Sequence, residues 1–276
     1  MQRLAEKKQY ASDNAQELER LWPIVQEAQE TDRLFMSFSA GVDSIAMWLR
    51  IMEAEIIDPK DAVLYYYYYI PGISWVEEWI EYFEDLYGVK VIQVPSEAFL
   101  HTWGNWQFQT PARAEAIVEL QTTDYSIQKM SKQEIQDAVR EWAGLPETAY
   151  CAVGVKSGDS ARRRMAMRKS QGVNHNNRKW YPIWDYERGD PVRMVQRHGI
   201  KVPYDYELFG ISFENIDYRF AKVMKERCPQ NWARVKEFFP MAETIITRYE
   251  YYHPEWKAKK GEKHKKFEVL EPRRPL

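Results

Sequence analysis

Between Leu34 and Arg50 the chain reads Leu-Phe-Met-Ser-Phe, then Ser39-Ala40-Gly41-Val42-Asp43-Ser44, then Ile-Ala-Met-Trp-Leu-Arg. Small residues between a β-type run and a helical run make a turn that aims backbone N–H groups and a helix N-terminus at one point. That geometry holds an anion. Ser39 and Ser44 add hydroxyl donors, and Gly41 permits a positive φ or a close backbone approach. Asp43, in the first helical turn, can cap the helix or help hold a magnesium ion. The plain alternative is an ordinary strand-to-helix turn with a Ser/Asp cap.

A second group of chemistry-bearing residues follows a later β-type run: Gly154-Val-Lys156-Ser-Gly-Asp159-Ser160-Ala-Arg-Arg163. It opens a strongly basic stretch, since Lys156 to Lys201 holds twelve Lys/Arg against four Asp/Glu, whereas Glu77 to Asp85 carries five acids and no base. An anion is expected on the basic stretch. Arg162, Arg163 and Arg164 are consecutive and cannot share one helix face, so at least one meets solvent.

The elements that must position these groups are legible in outline. Asp13 opens a cap for a helix over 14–30, with Leu18, Leu21, Ile24 and Ala28 at helical spacing and a kink at Pro23. Strands are expected at 33–39, 62–70, 89–94 and 149–155, and helices at 42–54 and 74–87, the second closed by Gly88. Tyr65 to Tyr69 must point alternately to two faces of their strand. Ser131 with Glu134 forms a capping box for a helix that ends near Gly144. Strands alternating with helices imply an α/β fold, a doubly wound and mostly parallel sheet covered on both faces. The divisions read from the sequence are an N-terminal helix (1–32), a nucleotide-binding α/β domain (33–186) with a Trp- and Gln-rich insertion at about 95–130, a C-terminal helical region (187–252) and a basic tail (253–276). Helices in the third division are expected at 189–198, 216–227 and 231–248.

Ser39 to Ser44 resembles the S-G-G-x-D-S loop of the PP-loop ATP pyrophosphatase superfamily, with Ala40 in place of the first glycine. Gly154 to Arg163 resembles the G-x-R-x-x-E-S-x-x-R element of the PAPS (phosphoadenosine phosphosulfate) reductase family within it, with Lys156 for the arginine and Asp159 for the glutamate. Tyr181-Pro-Ile-Trp184-Asp185, Asp190-Pro-Val192 and His198 through Gly210 resemble further segments in the family's order, so the likeness spans roughly 33–240. It implies an adenine nucleotide-binding α/β fold, with ATP (or PAPS) and magnesium at a site of Ser39, Ala40, Gly41, Val42, Asp43, Ser44, Ile70, Gly72, Gly154, Lys156 and Ser160. Asp43, Lys156 and Arg163 would be the catalytic groups and Asp43 the metal ligand. Tyr69 and Ile70 stand where the family has an acid after the second strand. Asp185 and Asp190 read as helix-capping acids, and Trp184 as a packing residue.

The reductases' C-terminal cysteine motif is missing, for no cysteine follows Cys228. With only Cys151 and Cys228 the chain cannot supply a four-thiolate site, so no iron–sulfur cluster is expected. Three readings follow: ATP cleavage between the α and β phosphates to adenylylate an unidentified acceptor, a sulfonucleotide enzyme that borrows a partner's thiol, or a nucleotide-sensing or nucleic-acid-associated module without turnover. Six lysines in 257–266 make the tail a candidate nucleic-acid contact. Of 276 residues, 14% are aromatic, which excludes disorder over most of the length. Lys+Arg 39 against Asp+Glu 41 is near neutral, and no apolar run reaches the span of a membrane helix. A cytoplasmic protein with no membrane contact is expected, and a homodimer is allowed.

Overall fold

The computed structural model describes residues 16–123, 130–213 and 215–253. In chain order the elements are α1 (16–28), β1 (Leu34–Ser37), α2 (Val42–Glu53), β2 (Ala62–Tyr68), α3 (Ser74–Tyr87), β3 (Val91–Pro95), α4 (Glu97–Gly104), α5 (Pro111–Thr123) and α6 (Lys132–Trp142). There follow β4 (Cys151–Val153), α7 (Ala161–Ser170), β5 (Val173–Asn174), β6 (Lys179–Trp180), α8 (Asp190–His198), α9 (Tyr204–Phe209), α10 (Tyr218–Arg227), α11 (Pro229–Phe238) and α12 (Glu243–Tyr252). The six strands form one sheet in the order β3-β2-β1-β4-β6-β5, parallel except for the β5–β6 pair.

Alternation along β1 and β2 decides which helix covers which face. Phe35 and Tyr65 stack at 5.0 Å, and with Val63 and Cys151 they pack under Val139 and Leu145, so α6 covers that face. Phe38, of opposite parity, meets Phe83 at 4.4 Å and Trp79 at 5.9 Å, and Trp48 of α2 meets Phe83 at 5.7 Å. The sheet is therefore wound on both sides, as the strand–helix alternation requires. The capping box of α6 is present, with Ser131 Oγ accepting from Glu134 N and Glu134 accepting from Ser131 N.

Several local expectations change. Helix α1 runs unbroken past Pro23, and its buried stripe is Leu18, Leu21, Trp22 and Val25, with Ile24 turned outward; Asp13 lies outside the described residues. The expected single helix over 231–248 is two, because Pro240 lacks the amide that would continue α11. The segment 95–130 is helical in α4 and α5, but α5 buries only Ile117 and so leaves no apolar stripe in the sequence.

The chain divides into two compact units. One comprises Met1–Tyr68, Val76–Ser96 and Met130–Val202 and holds the sheet; the other comprises Tyr69–Trp75, Glu97–Lys129 and Pro203–Leu276. The second unit has an aromatic core, in which Phe209, Phe213 and Phe220 meet at 4.7 to 6.4 Å and Tyr69 stacks on Phe239 at 6.2 Å. No helix among the described residues is long and apolar enough to cross a membrane.

Candidate functional site

From β1 the chain passes through α2 to β2 and then β3 on one side, whereas β4 lies against the other side of β1. The connections thus reverse direction between β1 and β4, and in open α/β sheets ligands bind outside the carboxyl ends of strands at such a switch point. Ser37 is in register with Val153, so the loops that leave β1 and β4 rise side by side.

The first loop is built by its own small residues. Phe38 N donates to Tyr65 O at 2.8 Å, one residue beyond β1, and the chain then turns through Ala40 at φ 55°. Gly41 has an extended backbone (φ −84°, ψ 162°) and is the N-cap of α2, with no side chain capping the helix. The left-handed conformation that Gly41 would permit therefore falls on Ala40, where a side chain costs about 1–2 kcal/mol. Ser44 is buried; its hydroxyl donates to Gly41 O at 2.9 Å and accepts from Ser39 N at 3.2 Å and Ser39 Oγ at 3.1 Å. Gly41 N donates to Ser39 Oγ at 3.3 Å. Both hydroxyls brace the turn, and Asp43 lies in the first turn of α2.

The second loop closes against the first. A Cβ on Gly154 would lie 3.3 Å from Asp43 O and 3.4 Å from Ser44 N. The missing side chain thus lets the backbone pass close to the start of α2. Lys156 is only 4% exposed, and its Nζ donates to Asp43 Oδ2 at 2.6 Å and lies 2.7 Å from Asp159 Oδ1. Asp159 also takes Arg163 Nη1 at 2.6 Å, and Ser160 caps α7 by accepting from Arg163 N at 3.2 Å. Burial works against the Lys156 charge, yet the two carboxylates outweigh it and raise the ammonium above its ordinary range. Burial alone would raise Asp159, but Lys156 and Arg163 hold it below the usual carboxylate range. A Cβ on Gly158 would fall 2.7 Å from Arg188 N, and Ser157 N donates to Trp184 O at 2.8 Å, which fixes this turn on 184–188.

Ser39, Ala40, Gly41, Val42, Asp43, Ser44, Gly154, Lys156, Ser160 and Arg163 thus lie on two loops and the first turns of the helices that follow them, joined by the Asp43–Lys156–Asp159–Arg163 chain of charges. Ile70 and Gly72 belong to the second unit. There Ile70 is buried, Gly72 has φ 76°, and Arg234 Nε donates to Pro71 O at 2.9 Å. Among the described residues no group of three or more His, Cys, Asp or Glu is placed to hold a metal ion.

Asp185 does not cap a helix. Its carboxylate pairs with Arg50 of α2 through both oxygens, the Nη2–Oδ2 bond being 2.9 Å. Arg50 is 1% exposed, donates to Pro182 O at 2.7 Å and lies 4.7 Å from the centre of the Tyr186 ring. Asp190, at the first position of α8, accepts from Glu187 N at 2.6 Å and pairs with Arg193. The signal that reveals Arg50 is a lone charge inside the apolar run Ile45–Ile51, for a buried cation requires a partner. Trp184 donates Nε1–H to Glu17 at 2.8 Å, a packing and anchoring role. The thiol of Cys151 is buried 3.3 Å from Tyr65 Oη. Burial pushes both it and Cys228 upward, away from thiolate character.

No family model and no curated protein matches the chain. Among solved structures it is similar to the U34-tRNA thiolase NcsA from Methanococcus maripaludis with its [4Fe-4S] cluster, at 15% identity over 83% of this chain and 80% of that one, with a TM-score of 0.39. It is also similar to the NH3-dependent NAD synthetase from Campylobacter jejuni subsp. jejuni NCTC 11168 in complex with the nitrate ion, at 9% identity over 90% and 97%, with a TM-score of 0.41. The first likeness corrects one expectation. The expected set of nucleotide and magnesium with no iron–sulfur cluster is not that of the thiolase, whose structure holds a [4Fe-4S] cluster.

Proposed function

We propose that this chain is an ATP-using enzyme that takes the nucleotide's phosphates on the two loops at the carboxyl ends of β1 and β4 and transfers the adenylyl group to an acceptor. One observation carries the reading: an α2 N-terminus with no side-chain cap, a left-handed turn at Ala40 and the buried Lys156 all meet at the switch point of the sheet. Backbone N–H groups and the helix dipole favour a phosphate there. Two of the three Lys156 ammonium protons are directed at Asp43 and Asp159, and the third is offered to a phosphate oxygen. The resemblance of both loops to the PP-loop and PAPS reductase motifs supports adenine as the base and α–β cleavage as the chemistry.

In the step itself an acceptor oxygen attacks the α-phosphorus, and the bond from that phosphorus to the α–β bridging oxygen breaks. Pyrophosphate leaves with the electron pair, and the acceptor's proton passes to solvent. The protein's part is positioning and charge neutralisation. Lys156 is fixed by its two carboxylates, and Arg163, half exposed beside Asp159, is the cation that faces the departing pyrophosphate.

Calorimetric titration with ATP, AMP and PAPS tests the binding, and slow hydrolysis of ATP by water in place of the acceptor tests the cleavage. ATP binding that weakens at least tenfold in Lys156→Ala, with AMP and pyrophosphate as products, is the expected result. Failure to bind ATP, or equal binding by Lys156→Ala, overturns the site. ADP and phosphate as products, or no products, overturn the transfer reaction, and selective binding of PAPS replaces it with a sulfonucleotide reading.

A further inference from the structure

Helix α7 carries Arg162, Arg163, Arg164, Arg168 and Lys169 and no acid, and among its residues only Met167 is buried. Arg163 is engaged by Asp159, and Arg164 has a distant ion pair with Glu187 at 3.9 Å. Among the described residues Arg162, Arg168 and Lys169 have no partner, and all three are exposed. At roughly 100° per residue, Arg162, Met165 and Lys169 fall on the side of α7 turned away from Met167, and Arg168 lies at the edge of that side, about 100° from Met167. The result is a stripe of three cations about 10 Å long. Met165, 70% exposed, lies in its middle.

This composition works against the helix that bears it. Three arginines occupy a first turn where the dipole favours acids, and Arg164 and Arg168 are like charges four residues apart. A polyanion laid along the stripe offsets the share of both penalties that Arg162 and Arg168 carry. Four of the five cations are arginines, whose planar fork takes a phosphate through two bonds. No apolar stripe is present to enter a bilayer, which separates α7 from lipid-binding amphipathic helices. We propose that the outward face of α7 is a nucleic-acid docking surface, on which Arg162, Arg168 and Lys169 contact successive phosphates of a single strand. The phosphodiester chain is the shared chemistry of RNA and DNA. The proposal does not depend on the nucleotide reading, since none of the three residues belongs to the phosphate site.

Fluorescence anisotropy of the full chain with labelled 20-nucleotide single-stranded RNA, and with DNA of the same sequence, tests it. The variant R162Q/R168Q/K169Q keeps helix propensity and polarity while removing three exposed charges, so its melting temperature and ATP titration are expected to match the parent. Its affinity for the strand should fall tenfold or more near 0.1 M salt. The slope of log affinity against log salt should flatten by about 2, the counterion release of three single-strand phosphate contacts. K259A/K260A, which removes tail lysines, should leave that loss undiminished. Preference for one of the two strands identifies the polymer. Undiminished binding by the triple variant overturns the proposal, as does displacement of RNA by a 20-residue polyglutamate at equal charge concentration, which would make the surface a generic anion contact.

Discussion

Ala40 concentrates the demands of the β1–α2 loop in one side chain. Its φ of 55° holds it, buried, between β1 and the start of α2. Glycine adopts that conformation freely, and β-branched residues resist it. Ala40→Gly removes the steric penalty while loosening the unfolded chain and giving up one methyl contact, so stability should stay within about 1 kcal/mol of the parent. Ala40→Val adds branching at the same φ and should cost about 2 kcal/mol or more, read as a shift of the urea midpoint at unchanged slope. Equal stability of the two variants would mean that the turn relaxes out of the left-handed region. At this scale the sequence was informative about which residues gather and silent about how. The small residues of 39–44 announced a turn, but which of them takes the positive φ is decided by Ser39 and Ser44 bonding across it. The Asp43–Lys156 pair joins residues 113 positions apart, beyond the reach of any local pattern.

Helix α2 is tied at both ends, by the hydroxyl-braced loop at its start and by Arg50 near its finish. Asp185→Ala takes from the buried Arg50 guanidinium the carboxylate it pairs with, while its bond to Pro182 O and its contact with the Tyr186 ring remain. The Asp185 side chain is 35% exposed, so water recovers part of the loss. Destabilisation of about 2–3 kcal/mol is expected in denaturant unfolding. Arg50→Met with Asp185→Ala should recover most of that, because it removes the charge together with its partner. A double variant no more stable than the single one would show that the pair aligns α2 rather than satisfying a charge. Among the elements, those with caps and one buried face were readable: α3 and α6 have an apolar stripe, and α6 has the Ser131–Glu134 box besides. Strands β5 and β6, two residues each, are too short for any alternation to show. Helix α5 leaves no apolar pattern in the sequence because it turns most of its surface outward, and the break between α11 and α12 is marked by Pro240 rather than by the flanking periodicity.

For the molecule as a whole, the pH dependence of stability separates into opposing parts. Asp159, Glu17 and Glu53 are held below their ordinary values by cationic partners that outweigh burial. They therefore contribute stability that is lost as pH falls. Asp205 in the second unit behaves oppositely. Burial pushes it up to about 6, although its oxygens accept from Phe213 N at 2.9 Å and Tyr206 N at 3.0 Å. The folded state then binds a proton that the unfolded state, near the ordinary value of 3.8, has released. Stability from this group is complete below the unfolded value and declines as pH rises through the folded one. The decline is on the order of 3 kcal/mol. The melting temperature of the parent minus that of Asp205→Asn should therefore drop across that interval, and a flat difference would place Asp205 at an ordinary value. The second unit is also assembled from three separate stretches of chain, with Pro71 held by Arg234, Ser74 by Asn231 and Gln109 by Phe238. During synthesis its first two stretches leave the ribosome well before the third exists. Tyr69 to Trp75 and the helices of 97–123 must wait for the stretch from Pro203 onward, whereas the sheet can close once β6 at Lys179–Trp180 has been made. The interval between residues 97 and 239 is thus the period in which a nascent chain most needs a chaperone.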